Sequence, residues 1–234
     1  MSESSPAGTP AEERAGATAT GAVAELLGVL AYGELAAFFQ LSEDARLAPT
    51  LGDRAALAGV AAAEYAHFRL LRDRLVSLGV DPDAAMAPYA EAVDGFHRLT
   101  APSDWLEALV KAYVGTGIAG DFYREAARHL DGDTAKLVDE VLADEDRAEF
   151  VVERVRAAVD ADPSAAGRLA LWARRLVGEA LSQAQRVAAE RPDLAGLLVD
   201  AAAEAGVSDL AEIGRMFARL TESHGKRMAL LSLS

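Results

Sequence analysis

The stretch AAAEYAHFRLL, residues 61–71, places an acid and an imidazole three positions apart, Glu64 and His67, within a segment whose apolar residues recur at helical spacing. Positions i and i+3 lie on one face of a helix, so both side chains are expected on the stripe of Leu57, Val60, Leu71 and Leu78 that a bundle would bury. Helical bundles build metal sites from acid and imidazole side chains that project inward in this way. A lone Glu-x-x-His also arises by chance on helices, so the rest of the chain has to decide.

Upstream, the spacing predicts a helix from about residue 20 to 45 with the inward stripe Val23, Leu27, Leu30, Glu34, Ala37, Leu41, spaced alternately four and three. One residue of that stripe, Glu34, is charged. The helix carrying Glu64 is expected over Leu51 to Leu78, stopped by Gly79 and Pro82. Residues 81–102 read as a crossover broken by Pro82, Pro88 and Pro102, with a short helix near 90–97. Ser103 is expected to cap a third helix running to about His129, with Asp121 on the stripe of Leu106, Val110, Val114 and Gly117. After the turn Asp131-Gly132-Asp133, a fourth helix from Thr134 to Val159 carries Asp144 on the stripe of Leu137, Val141, Ala148, Val151 and Val155.

Helices of about 25 residues span roughly 38 Å, which suits a four-helix bundle with one long crossover. Two more helices, near 165–189 and 194–231, the second with a break expected at Gly206, should pack on it. The expected fold class is therefore all-α. Its parts are a disordered tail over 1–19, rich in Ser, Pro, Gly, Thr and Ala, a bundle over 20–160 and C-terminal helices over 161–234.

A carboxylate facing an apolar core costs several kcal/mol unless it is paired or bound to metal. Glu34, Glu64, Asp121 and Asp144 would share one layer, and four like charges cannot stand there alone. Two divalent ions, bridged by carboxylates and completed by imidazole, would neutralise them. The competing reading of each single carboxylate is a solvated helix face at a loose seam.

The order of one acid, then acid-x-x-His, a crossover, one acid and an acidic last core helix resembles the ferritin-like superfamily. Within it LAYGELAAFF (residues 30–39), AAAEYAHFRLL, LWARRLVGEALSQAQRVAAER (171–191) and FARLTESHGKRM (217–228) look similar to the bacterial tRNA isopentenyladenosine hydroxylases. The resemblance spans about Gly21 to Leu233. It implies a non-haem oxygenase or oxidase with Glu34, Glu64 and His67 on one half of a dimetal site and Asp121 and Asp144 on the other. The family pattern calls for a second His three residues after the last acid, where this chain has Arg147. Arginine stays protonated and offers no lone pair to a metal. Folded onto Asp144 or Asp121, it would supply a charge in place of the second ion and leave a one-metal or metal-free site.

The other histidines offer no substitute. His129 lies eight positions beyond Asp121, about 12 Å along the helix. His97 is expected to be exposed in the crossover, and His224 to be an ordinary interfacial residue. Tyr32 and Tyr65 stand near the metal candidates, and Trp172-Ala173-Arg174-Arg175 forms a short basic run.

Composition narrows the function classes. The 234 residues are 51% hydrophobic and contain no cysteine, which excludes thiolate metal sites, disulfides and cysteine nucleophiles. A net charge of −14 disfavours broad contact with nucleic-acid phosphates. No run of about 18 consecutive apolar residues is present to span a bilayer, and the N-terminus lacks the pattern of a secretory signal. The expectation is a cytoplasmic protein without membrane contact, homodimeric, that uses iron, as one or two ions, or manganese to activate dioxygen against a small-molecule or nucleoside substrate. The alternative is a non-enzymatic binding or association protein whose metal site has degenerated and holds no metal, with Arg147 in place of a ligand.

Overall fold

A computed structural model describes residues 10–127, 130, 132–142, 145–191 and 209–233; the side chains at 10–20, 122, 126–127, 145–148, 209–214 and 216–217 lie outside the description. The described residues are helical throughout, with no strand among them. The first long helix, α1, covers Pro10–Asp44, and α2 covers Leu51–Ser77. The crossover holds α3, Pro82–Met86, and α4, Ala90–Leu99. Then come α5, Trp105–Ala127; α6, Gly132–Leu142; α7, Glu145–Ala161; α8, Ser164–Glu190; and α9, Asp209–Leu230.

The ends of these helices follow from local chemistry. Thr50 Oγ1 accepts from the Asp53 N–H at 3.1 Å, satisfying an orphan donor at the start of α2. Gly79, with φ +74°, ends α2 in the left-handed region that a residue with a Cβ resists. At α5 the cap is Asp104, whose Oδ1 accepts the Glu107 N–H at 2.8 Å, while Glu107 reaches back to the Ser103 N–H at 2.9 Å. Ser103, expected as the cap, is thus the residue before it. Its hydroxyl donates to Glu107 Oε2 instead.

Two boundaries differ from the sequence reading. Residues 10–19, expected in a disordered tail, are the first turns of α1, whose alanine-rich sequence favours helix once the segment is anchored by the apolar residues that follow. Residues 1–9 lie outside the description. The expected fourth helix is described as α6 and α7, with Ala143 and Asp144 between them outside the description.

α1 and α2 pack along their length. Leu26, Leu27 and Leu30 of α1 meet Phe68, Leu71 and Leu75 of α2, and Val138 and Val141 of α6 close this cluster. A second cluster joins Leu109, Val110 and Val114 of α5 to Val151 and Val155 of α7, Leu169 and Leu176 of α8, and Met228 and Leu231 at the end of the chain. Each fully buried leucine contributes about 1.5–3 kcal/mol. The segment Gly21–Leu47 is long and apolar enough to cross a membrane by length and composition; here Leu26, Leu27 and Leu30 of it are buried in the bundle core, while Phe39 and Leu47 are exposed.

Close approach fixes how the crossover lies on the bundle. A Cβ on Gly28 would meet the Ala85 carbonyl oxygen at 2.3 Å, so glycine at this position lets α3 sit directly against α1. Lys111 is buried beneath the crossover, with its Nζ donating to the His97 carbonyl at 3.4 Å. In the basic run of α8, Trp172 is buried and donates to the Glu107 carbonyl at 2.9 Å, while Arg175 donates to the Leu99 carbonyl at 2.6 Å. That run serves as structural glue.

Candidate metal centre

The four-three spacing of α1 and α2 turns Glu34 and Glu64 toward each other across the first hairpin, and His67 follows Glu64 by one helical turn. One ligand atom from each of the three lies within 4.8 Å of the others. His67 Nδ1 is 3.5 Å from Glu34 Oε2 and 3.6 Å from Glu64 Oε2, close but outside good hydrogen-bond geometry. The side chain of Glu64 is 2% exposed, that of Glu34 11% and that of His67 16%.

Electrostatics tie the three together. Burial, and then the neighbouring Glu64, push the Glu34 carboxyl well above the usual carboxylate range. The two carboxylates, Glu34 first, pull the His67 imidazole up to about 9 against the effect of burial. Glu34 Oε2 and His67 Nδ1 are nevertheless buried without a hydrogen-bond partner among the described residues. A carboxylate oxygen and an imidazole nitrogen converging on one point are what a bound cation would satisfy through their lone pairs, the imidazole giving up its proton. The donor set, oxygen with imidazole nitrogen and no sulfur, suits iron or manganese.

Asp121 takes no part in this group. Its Oδ2 lies 2.7 Å from Arg227 Nη2 of α9 and its Oδ1 3.5 Å from Arg124 Nη1, one turn further along α5. Gly117, a turn before Asp121, makes this possible: a Cβ there would meet Cδ, Nε and Cζ of Arg227 at 2.6, 2.7 and 3.0 Å. Arginine thus fills the space that a side chain on the inward stripe would take. Asp144 lies outside the described residues, and so does the Arg147 side chain.

Other expectations change as well. Tyr32 donates to Asp94 Oδ1 of α4 at 2.9 Å, and its hydroxyl is pushed up to about 12 by burial and by that carboxylate. Tyr65 is 42% exposed and stacks beside Phe38 and Phe68 on the outside of the hairpin. The tyrosine near the carboxylates is Tyr123 of α5, whose hydroxyl lies 3.6 Å from where a Cβ on Gly33 would be, and burial, then Glu34, push its pKa well above the usual phenol range. His97, expected to be exposed, has its Nδ1 buried, and burial lowers its pKa to about 3. His224 on α9 is outside the acid–imidazole group, and His129 lies outside the description.

Arg227, Gly117 and Tyr123 were missed by sequence reasoning. Gly117 left a signal, since a glycine on an inward stripe one turn before an acid marks room for another group. Arg227 lies in a strongly charged helix, where nothing in sequence distinguishes one inward arginine from its solvated neighbours.

Comparison with known proteins bears on the fold. A family model described as the ferritin-like domain of actinomycetes matches residues 18–201. A solved structure from Synechococcus, described as a protein with aldehyde deformylating oxidase activity, aligns with a TM-score of 0.61 at 21% sequence identity, covering 93% of this chain and 98% of that one. At that identity the likeness shows the fold. No curated protein matches the chain.

Proposed function

We propose, for a chain that belongs to the ferritin-like domain family of actinomycetes, the function of a non-haem iron oxidoreductase that uses dioxygen, with one metal ion held by Glu34, Glu64 and His67. The observation that carries this is the convergence of the three ligand atoms within 4.8 Å, with Glu34 Oε2 and His67 Nδ1 buried and without a hydrogen-bond partner among the described residues. Two carboxylates would balance a divalent charge, and the imidazole, on losing the proton that those carboxylates otherwise hold on it, would supply nitrogen without adding charge. Iron held by Glu34, Glu64 and His67 would supply electron transfer to dioxygen.

The remaining residues set the conditions for that chemistry. Asp121, tied to Arg227 and Arg124, is withheld as a ligand, which favours one ion over two. Leu30, a helical turn before Glu34 on α1, and Leu71, a turn after His67 on α2, are both buried. The aldehyde deformylating oxidase activity of the Synechococcus protein supports an oxidase class for this shared fold. The resemblance to isopentenyladenosine hydroxylases supports hydroxylation of a small or nucleoside substrate as the finer reading.

Oxygen uptake by the ferrous-loaded protein under a chemical reductant, compared with Glu64→Ala, tests the proposal. Uptake above the free-iron control that is lost in the variant supports it. Uptake equal to the control overturns it. A second reading, a non-enzymatic binding or association protein, is favoured by the arginine on Asp121, which removes a carboxylate from a dimetal set. Failure of the chain to bind iron or manganese would establish that reading over the first.

A further inference from the structure

Beside Glu34 the bundle encloses a cavity of about 230 Å³ bounded by α1, α5, α6 and α9. Arg124 and Arg227 both line it, together with Tyr113, Val141 and Leu142. We propose that this cavity seats the carboxylate of the substrate, so that the protein acts on a small organic acid with a short apolar tail; the inference rests on reading Glu34, Glu64 and His67 as the metal centre.

Charge is the first ground. Among the described residues the two guanidinium groups share a single acid within ion-pair distance, Asp121, and Glu34 belongs with His67, so of these groups one positive charge is left facing the cavity. In a chain of net charge −14 the long-range field repels anions, and a locally positive cavity is the exception that selects one. The donors are also incompletely used. Arg124 gives Nη2 to the Leu142 carbonyl at 2.7 Å, while Arg227 Nε is buried with no hydrogen-bond partner among the described residues.

Shape is the second ground. Gly117 yields its side-chain space to Arg227, which holds that guanidinium beside the cavity on the side chain's otherwise crowded path. Arginine's planar fork matches a carboxylate in two parallel hydrogen bonds. One residual positive charge suits a monoanion better than a phosphate dianion. Val141, Leu142 and Ala112 give the wall an apolar side, while Glu34 and Thr116 are polar parts of the lining. The volume of about 230 Å³ is below the roughly 300–1,000 Å³ typical of drug-sized ligands, which restricts the tail to a few carbons.

Calorimetric titration of the metal-free full chain with hexanoate, hexanamide and inorganic phosphate tests this without any turnover. Hexanoate is expected to bind about tenfold or more tightly than hexanamide, since the amide leaves the guanidinium charge unanswered. Arg227→Gln should cost about tenfold in hexanoate affinity, and Gly117→Ala, which retains both arginines but displaces one, should weaken it as well. If Arg227→Gln fails to fold by circular dichroism, Arg124→Gln is expected to show the same loss. Equal affinity for hexanoate and hexanamide, tighter binding of phosphate, or unchanged binding in the variants overturns the inference. Ferrous titration of the same protein separates the two claims. Iron binding without hexanoate binding removes the anion seat and leaves the metal centre, and the reverse pattern removes the oxidoreductase.

Discussion

Arg227 Nη2 of the last helix lies 2.7 Å from Oδ2 of Asp121 on α5, joining α9 to the bundle through an acid that sequence pattern alone assigns to a metal. The pair is largely shielded, with side chains 14% and 18% exposed. Removing one member of a fully buried pair costs about 3–5 kcal/mol. The partial exposure and the neighbouring Arg124 reduce this, so Arg227→Leu is expected to cost about 2 kcal/mol in urea unfolding. Asp121→Asn in the same chain should recover most of that loss, a coupling that a double-mutant cycle measures. Additive costs would mean that the two residues do not stabilise each other.

Gly28 and Gly59 provide a paired test of packing. A Cβ on Gly28 meets the backbone oxygen of Ala85 at 2.3 Å, whereas one on Gly59 meets nothing within 4 Å. Gly28→Ala is expected to destabilise by about 1–3 kcal/mol, because α3 must move off α1. Gly59→Ala should stabilise by about 0.5–1 kcal/mol through helix propensity. Thermal melts of the two variants read the difference, and a stabilised Gly28→Ala would refute the close contact.

His97 gives a dependence on pH. Burial, and then Lys111, hold its imidazole down to about 3, so the folded chain keeps it neutral while the unfolded chain takes up a proton below its ordinary value near 6.5. Its contribution is therefore fully present above pH 6.5 and declines as the pH falls toward 3, with a limiting slope of about 1.4 kcal/mol per pH unit. Wild type should lose stability more steeply than His97→Gln between pH 6.5 and 4.5. Parallel profiles would show that His97 is protonated in the folded chain.

His67→Ala is expected to lower bound iron or manganese severalfold. It should also abolish the rise in melting temperature that either metal gives the wild type, since binding stabilises the folded state by mass action. Retention of metal by the variant would place the ion elsewhere.

The helices and the convergence of Glu34, Glu64 and His67 were legible because both depend on periodicity. The stripe through Leu27, Leu30 and Glu34 and the stripe through Leu57, Glu64 and Leu71 fix which faces meet, and His67 follows from its spacing to Glu64. The fate of Asp121 was not legible. It depends on a residue 106 positions later, Arg227, and on the empty place at Gly117, neither of which changes the local pattern. Sequence reasoning offered Asp121 or Asp144 a cation in Arg147, which stands where the family pattern has a histidine; Asp144 and the Arg147 side chain lie outside the described residues. His97 was misread for a related reason, since the crossover lies on the bundle and Lys111 rises to meet it.

Anaerobic titration with ferrous iron, read as ions bound per chain, bears most directly on Glu34, Glu64 and His67 as a one-ion centre beside an arginine-held Asp121. Wild type is expected to saturate at about one ion per chain, and Glu64→Ala to bind none, because each carboxylate is needed to balance the divalent charge. Binding of two ions by the wild type, or of none, would contradict it.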